Sequence, residues 1–82
     1  MVDVTLVGSI GEAAGTRRTQ VKAGNIKELL EILNSRYGAA FARRAKASRI
    51  VVNGSPIQFG EGVKTPLKEG DEVALLVPTG GG

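Results

Sequence analysis

The chain has 82 residues, of which 41% are hydrophobic, and this suffices for one domain with one modest core. It has no cysteine and no histidine, which excludes a disulfide framework, the usual zinc ligand sets and histidine-dependent catalytic triads. A net charge of +3 is a weak excess for a nucleic-acid binder. No apolar run approaches the ~20 residues of a membrane span, and the first residues lack a signal-peptide pattern. We therefore expect a cytoplasmic protein that engages neither nucleic acid nor membrane and is not an enzyme by itself.

The first segment predicts a hairpin of two strands. Residues 2–8 alternate at first between apolar and polar, which places Val2, Val4 and Leu6 on one face and Val7 on the other. Glycines at positions 8, 11 and 15 indicate a loop. Residues 16–22 predict a weakly apolar second strand at a sheet edge, where basic side chains discourage unwanted pairing.

A helix follows the hairpin. Asn25 is a favourable N-cap, and Glu28 stands three residues later, as in a capping box. Gly38 is suited to end the helix in a left-handed conformation, and residues 39–47 can form a second short helical piece. The predicted helix carries one apolar stripe formed by Ile26, Leu29, Leu30, Leu33 and Tyr37.

The last part predicts three short strands over residues 49–53, 56–59 and 72–77. Asn53-Gly54 is a strong tight-turn signal between the first two. The element order β-β-α-(α)-β-β-β predicts an α+β fold, a mixed sheet of about five strands with one main helix across it, which is the β-grasp arrangement. Residues 1–77 would form this domain, and residues 78–82 a flexible Gly-Gly tail.

Three stretches together resemble the MoaD/ThiS family of ubiquitin-like sulfur carriers: Val52-Asn53-Gly54, residues 65–74 with Leu-Lys-Glu-Gly-Asp-Glu-Val, and the terminal Gly81-Gly82. Within that family the chain is most similar to the molybdopterin synthase small-subunit branch. The resemblance implies that the carboxylate of Gly82 is adenylated and converted to a thiocarboxylate. This group would donate sulfur in molybdopterin (molybdenum cofactor) biosynthesis, and Gly81 would share the partner's narrow channel.

The same resemblance implies the partners. They are an adenylating enzyme related to ubiquitin activators, which uses ATP, a sulfurtransferase, and the molybdopterin synthase large subunit or its equivalent. The chain itself would bind no cofactor and no metal. The tail departs from the family's usual pattern, because Val77 precedes a single proline and Gly80 is a third glycine. Sulfur transfer to cysteine, thiamine or tRNA, conjugation to proteins through Gly82, and a plain binding module remain alternatives.

Strand parity indicates a docking surface. Val7 in the first strand and Leu76 in the last are aliphatic residues on outward faces, and Pro56 or Ile57 would extend the patch. The alternative is that they are ordinary isolated surface aliphatics. The tail residues expected to contact a partner are Pro78, Thr79 and Gly80.

Two charged features receive a structural interpretation. Asp71 is expected to cap its turn rather than to bind metal. Four cations form a cluster without interleaved aromatic residues, so we predict that they line a solvated face. This basic cluster consists of Arg43, Arg44, Lys46 and Arg49.

Overall fold

A computed structural model describes residues 1–57 and 62–77. In these ranges the chain forms a five-stranded sheet and three helices. None of these helices is long and apolar enough to cross a lipid bilayer. The elements, in chain order, are β1 (Val2–Gly8), α1 (Ser9–Ala14), β2 (Arg18–Val21), α2 (Ile26–Tyr37), α3 (Ala39–Lys46), β3 (Arg49–Val52), β4 (Ser55–Ile57) and β5 (Glu72–Val77).

The sheet has the strand order β2-β1-β5-β3-β4. The central strand, β5, is parallel to its neighbour β1, and every other neighbouring pair is antiparallel. This is the predicted ubiquitin-like β-grasp, with the last strand of the chain at the centre of the sheet. The predicted strand over residues 56–59 begins one residue earlier, and its residues 58 and 59 lie outside the described part.

The core lies between the inner face of the sheet and the helices. Ile26, Leu29, Leu30 and Leu33 of α2 are buried, as the predicted stripe requires. Tyr37 is half-buried, and its ring lies 5.2 Å from that of Phe41. The sheet side of the same core is lined by Val2, Val4, Leu6, Val21, Ile50, Val73 and Leu75.

The segment after β1 was predicted as a loop, and this prediction is wrong. Residues Ser9–Ala14 form α1, whose Ile10 is fully buried in the core. The three glycines concealed the helix from the sequence pattern. Gly15 ends the helix in the left-handed region, with φ 75° and ψ 13°, and Gly11 is buried where α1 approaches β1.

The predicted cap of α2 is present. The Asn25 side chain accepts a hydrogen bond from the Glu28 amide at 2.8 Å. The Glu28 carboxylate accepts one from the Gly24 amide at 2.9 Å, one residue before the N-cap amide that the predicted capping box would use. Gly38 separates α2 from α3 with φ 93° and ψ −170°, so its φ is positive as expected but its ψ is extended. The short helical piece exists as α3, which buries Phe41 and Ala45.

Candidate functional site

The described part of β5 ends beside the end of its parallel neighbour, β1. Val77, the last residue of β5, is paired with Gly8, the last residue of β1. The sheet therefore fixes where the C-terminal segment begins. The predicted reactive and contact residues of that segment lie outside the described residues, and they are Pro78, Thr79, Gly80, Gly81 and Gly82.

The two outward aliphatic residues are neighbours at this end of the sheet. Val7 pairs with Leu76 across the parallel ladder, so the two side chains share the outer face. Val7 is 43% exposed, and Leu76 is partly buried. On the other side of Leu76, the paired residue of β3 is Arg49. The structure places the two residues together, and their role in partner binding stays a prediction.

A second row of small and apolar residues lies next to this pair on the outer face. Ala74 pairs with Thr5 on one side and with Val51 on the other, and Val51 pairs with Pro56. Ile57 does not extend the patch, because it pairs with inward-facing Ile50 and packs against the core. We call the surface formed by Val7, Val51, Pro56, Ala74 and Leu76 the apolar patch.

Sequence patterns alone did not identify Val51 and Ala74 as members of the apolar patch. Strand parity places each on the outer face of its own strand, but only the pairing of β3 with β5 brings them together. That pairing joins residues far apart along the chain, so it is not visible in any local pattern.

The outer face becomes polar at the end away from Val77. Asp3 of β1 pairs with Glu72 of β5, and the Gln20 side-chain amide donates to the Asp3 carboxylate at 2.7 Å. The apolar patch is therefore confined to the end of the sheet at which the tail begins.

A hydrogen-bonded clamp fixes the start of β5. The Asp71 carboxylate accepts from the Lys68 amide at 2.9 Å and from the Asn53 side-chain amide at 3.1 Å. The Asn53 side-chain oxygen accepts from the Glu72 amide at 2.9 Å. Asn53 and Gly54 form the β3–β4 turn with φ values of 49° and 85°, a conformation that this residue pair favours. The clamp holds β5 in register against β3.

The clamp also changes the acidity of Asp71. The hydrogen bond from the Lys68 backbone, followed by that from the Asn53 side chain, holds the pKa of Asp71 below its ordinary value. Both bonds favour the charged carboxylate. Asp71 thus caps its turn, as the sequence predicted, and the Asn-Gly and Gly-Asp-Glu motifs support the tail's exit strand.

A groove lies beside the same end of β1. Its volume is about 670 Å³, and its lining residues include Glu12 and Arg17. Residues 1–57 and 62–77 contain no group of three or more acidic side chains that could hold a metal ion.

Comparison with solved structures identifies the fold as ubiquitin-like. The small archaeal modifier protein 1 (SAMP1) of Methanosarcina acetivorans is 29% identical with a TM-score of 0.82, over 99% of this chain and 95% of that one. A chain in the complex of subunits 1 and 2 of Helicobacter pylori 26695 molybdopterin-converting factor is 31% identical with a TM-score of 0.72, over 99% and 97%. A chain of the Amycolatopsis orientalis BexX/CysO complex is 20% identical with a TM-score of 0.79, over 100% and 99%, and shows the fold alone.

The family follows from the sequence of nearly the whole chain. Residues 4–82 match the ThiS family model, so the chain belongs to the ThiS family, within the MoaD/ThiS sulfur carriers. A search of curated proteins finds no match. The predicted resemblance is therefore confirmed at the level of the family.

Proposed function

We propose that the protein carries sulfur as a thiocarboxylate on Gly82 and donates it in molybdopterin biosynthesis. The observation that carries this proposal is the family match, which extends to the terminal Gly82. The molybdopterin branch is supported by the 31% identity to a chain of the H. pylori molybdopterin-converting factor.

The proposed chemistry needs nothing from this chain except its terminal carboxylate. A carboxylate oxygen of Gly82 attacks the α-phosphate of ATP in the partner enzyme, and pyrophosphate leaves. A hydrosulfide ion (HS⁻) supplied by the sulfurtransferase then attacks the acyl carbon, AMP leaves with the bonding electron pair, and the S–H proton is lost to solvent. The product is a thiocarboxylate, in which one carboxylate oxygen has been replaced by sulfur.

The position of the tail suits delivery into another protein's site. Five residues follow Val77, and at ~3.3–3.6 Å each they reach roughly 17 Å when fully extended. Glycine lacks Cβ, so Gly81 and Gly82 allow close approach of a channel wall to the backbone. The apolar patch beside Val77 would hold the globular body at the entrance of that channel.

The proposal names three partners by their chemistry. They are the ATP-using adenylating enzyme, the sulfurtransferase, and a synthase large subunit that takes up the sulfur. The complexes formed by structural neighbours, with molybdopterin-converting factor subunit 2 and with BexX, support a protein partner for this fold. Because these steps consume ATP, we place them in the cytoplasm.

The test is intact-mass analysis after incubation with ATP, the adenylating enzyme of the same genome and a sulfur source. The wild type should gain the mass that corresponds to replacement of one oxygen by sulfur. Deletion of Gly82 shortens the reach by about 3.5 Å, and addition of one alanine after Gly82 moves the reacting carbon outward. Near-attack geometry tolerates only small displacements, so both variants should largely fail.

Circular dichroism and thermal unfolding provide the control, because both tail variants should fold like the wild type. If the variants gain sulfur as fast as the wild type, the terminal-carboxylate geometry is wrong. If the wild type is never adenylated, the sulfur-carrier function itself is wrong.

A second candidate function is protein modification through an isopeptide bond from Gly82 to a lysine. It is favoured by the 29% identity to M. acetivorans SAMP1, which is described as a modifier protein. Both functions begin with the same adenylate, and they differ in whether sulfur or a lysine amine attacks the acyl carbon. Higher-mass conjugates that persist under reducing, denaturing electrophoresis and vanish on deletion of Gly82 would establish the modifier function.

A further inference from the structure

The positive charge of the chain is concentrated in one region. No Asp or Glu occurs between Glu31 and Glu61, whereas this interval contains five basic side chains: Arg36, Arg43, Arg44, Lys46 and Arg49. The rest of the chain has six basic and eight acidic side chains. The net charge of +3 therefore conceals a strongly basic region on an otherwise slightly acidic molecule.

The fold places the basic cluster at the end of the sheet where the tail begins. Arg49 opens β3 and pairs with Leu76, one residue before Val77. The other three cations lie in the last turn of α3. A tight turn joins α3 to β3, in which the Ser48 amide and hydroxyl both donate to the Ala45 carbonyl, at 3.2 and 2.6 Å. Because Lys46 and Arg49 are three residues apart, their Cα atoms are at most about 11 Å from each other.

Other charged groups do not neutralise this cluster within the described part of the chain. There, none of its four side chains forms an ion pair or a hydrogen bond, and all four residues are exposed. Arg36 differs, since its guanidinium donates to the Thr19 hydroxyl at 2.9 Å and to the Gln20 carbonyl at 3.2 Å. The cations in the last turn of α3 interact favourably with the negative end of the helix dipole. That interaction does not explain the presence of Arg49, which lies in β3.

We propose that the basic cluster contacts an acidic rim around the channel of the adenylating enzyme, next to the apolar patch. This inference rests on the proposed function, because it requires a partner that receives the tail. The patch would supply the desolvated centre of the interface, and the cluster a charged margin on the α3 side. Opposite charges at such a margin accelerate encounter and orient the docking body, so the tail arrives facing the channel.

The experiment measures association rates of the full-length chain with the adenylating enzyme by stopped-flow fluorescence at several ionic strengths. Arg44 is replaced by Gln and by Glu. The matched control is Lys22, replaced by the same two residues, because Lys22 is exposed and follows Val21, which pairs with Val2 at the opposite end of the sheet. The two series change the net charge equally.

At low salt, Arg44→Glu should slow association by about fivefold, Arg44→Gln by less, and Lys22→Glu by less than about twofold. The differences in association rate between the variants and the wild type should shrink as added salt shortens the Debye length, from about 30 Å at 0.01 M to about 8 Å at 0.15 M. Thermal unfolding shows whether each variant is folded.

Equal slowing in the two series would mean that net charge matters and the cluster does not, and this would overturn the proposal. The proposal is equally wrong if the Arg44 variants associate as fast as the wild type while the wild type is adenylated normally. If the Arg44 variants instead lose binding of a single-stranded poly(U) probe, with partner rates unchanged, the cluster is a nucleic-acid surface and the proposal is wrong. A wild type that is never adenylated would overturn the proposed function together with this inference.

Discussion

The carboxylate of Asp71 joins two segments that are far apart in the sequence. It binds the backbone of the loop before β5 and the Asn53 side chain in the β3–β4 turn, and Asn53 in turn binds the first amide of β5. Each group in this clamp bonds another, so removing one side chain deprives the others of their protein partner. The Asn-Gly and Gly-Asp-Glu motifs, which make the sequence resemble its family, therefore stabilise the start of β5, the strand that leads to the tail.

This clamp predicts a specific dependence of stability on pH. The pKa of Asp71 is lowered in the folded state, so its contribution to stability is fully present above the ordinary pKa of about 3.8 and is lost as the pH falls through the folded value. Asp71→Asn should therefore lower the free energy of unfolding at pH 7. Its deficit relative to the wild type should narrow towards pH 2, as measured by urea denaturation across this range.

The matched control for that experiment is Glu12→Gln, an exposed carboxylate of α1. In this variant, the change in the free energy of unfolding between pH 7 and pH 2 should be close to that of the wild type. A deficit for Asp71→Asn that is constant with pH would show that the clamp stabilises through hydrogen bonds alone, without favouring the charged carboxylate.

Gly11 is another residue whose role becomes visible only in the structure. A Cβ built at this position lies 3.1 Å from the Leu6 carbonyl oxygen and 3.4 Å from that of Thr16. Both atoms belong to backbone, which cannot rotate away as a side chain can. The missing Cβ therefore allows α1 to pack closely on β1.

We expect Gly11→Ala to destabilise the fold by about 0–2 kcal/mol. Overpacking costs about 1–3 kcal/mol, and the higher helix propensity of alanine recovers up to about 1 kcal/mol of this. Gly24→Ala is the control, because its Cβ would meet only the Glu28 carboxylate at 3.5 Å, an ordinary contact. Denaturant titration of both variants measures the difference, and a more stable Gly11→Ala protein would contradict the close packing.

At the scale of elements, the sequence predicted what local patterns encode. The stripe and cap of α2, the Asn-Gly turn and the alternation in β1 each have a periodic or capping signal, and the structure contains all of them. The helix α1 has no such signal. It is only six residues long and includes a glycine, and its burial depends on contacts with α3 and β1 that form only in the folded chain.

The contribution of α1 can be measured through Ile10, its fully buried side chain. Ile10→Ala should cost about 2–5 kcal/mol, enough to unfold a domain of this size, and Ile10→Val about 0.5–1.5 kcal/mol. Val7→Ala is the control, because its side chain is 43% exposed, and it should cost well below about 1 kcal/mol. If Ile10→Val and Val7→Ala are equally mild and Ile10→Ala remains folded, α1 is peripheral to the core.

At the scale of the whole molecule, the candidate site could be predicted only in parts. Residue parity placed Val7 and Leu76 on outer faces, but the register of β1 with β5 was needed to make them neighbours beside Val77. The basic cluster looked like a solvated face because its position relative to the tail depends on the β3–β5 pairing. The sheet thus concentrates apolar surface, positive charge and the start of the tail at one end.

This arrangement predicts that Leu76→Glu separates binding from folding. Leu76 lies on the outer face, so water can hydrate a glutamate there, and the thermal transition should remain. In a complex, the same carboxylate would be buried against an apolar surface of the partner. Arg49, which pairs with position 76, is the neighbouring cation on the β3 side, and the partner would supply no second positive charge. We expect the affinity for the proposed adenylating partner to fall at least tenfold, which corresponds to about 1.4 kcal/mol. Isothermal titration calorimetry measures it, with Ser35→Glu on the exposed surface of α2 as the control of equal charge. An unchanged affinity would place the docking surface elsewhere, whereas a lost thermal transition would show that Leu76 supports the core rather than an interface.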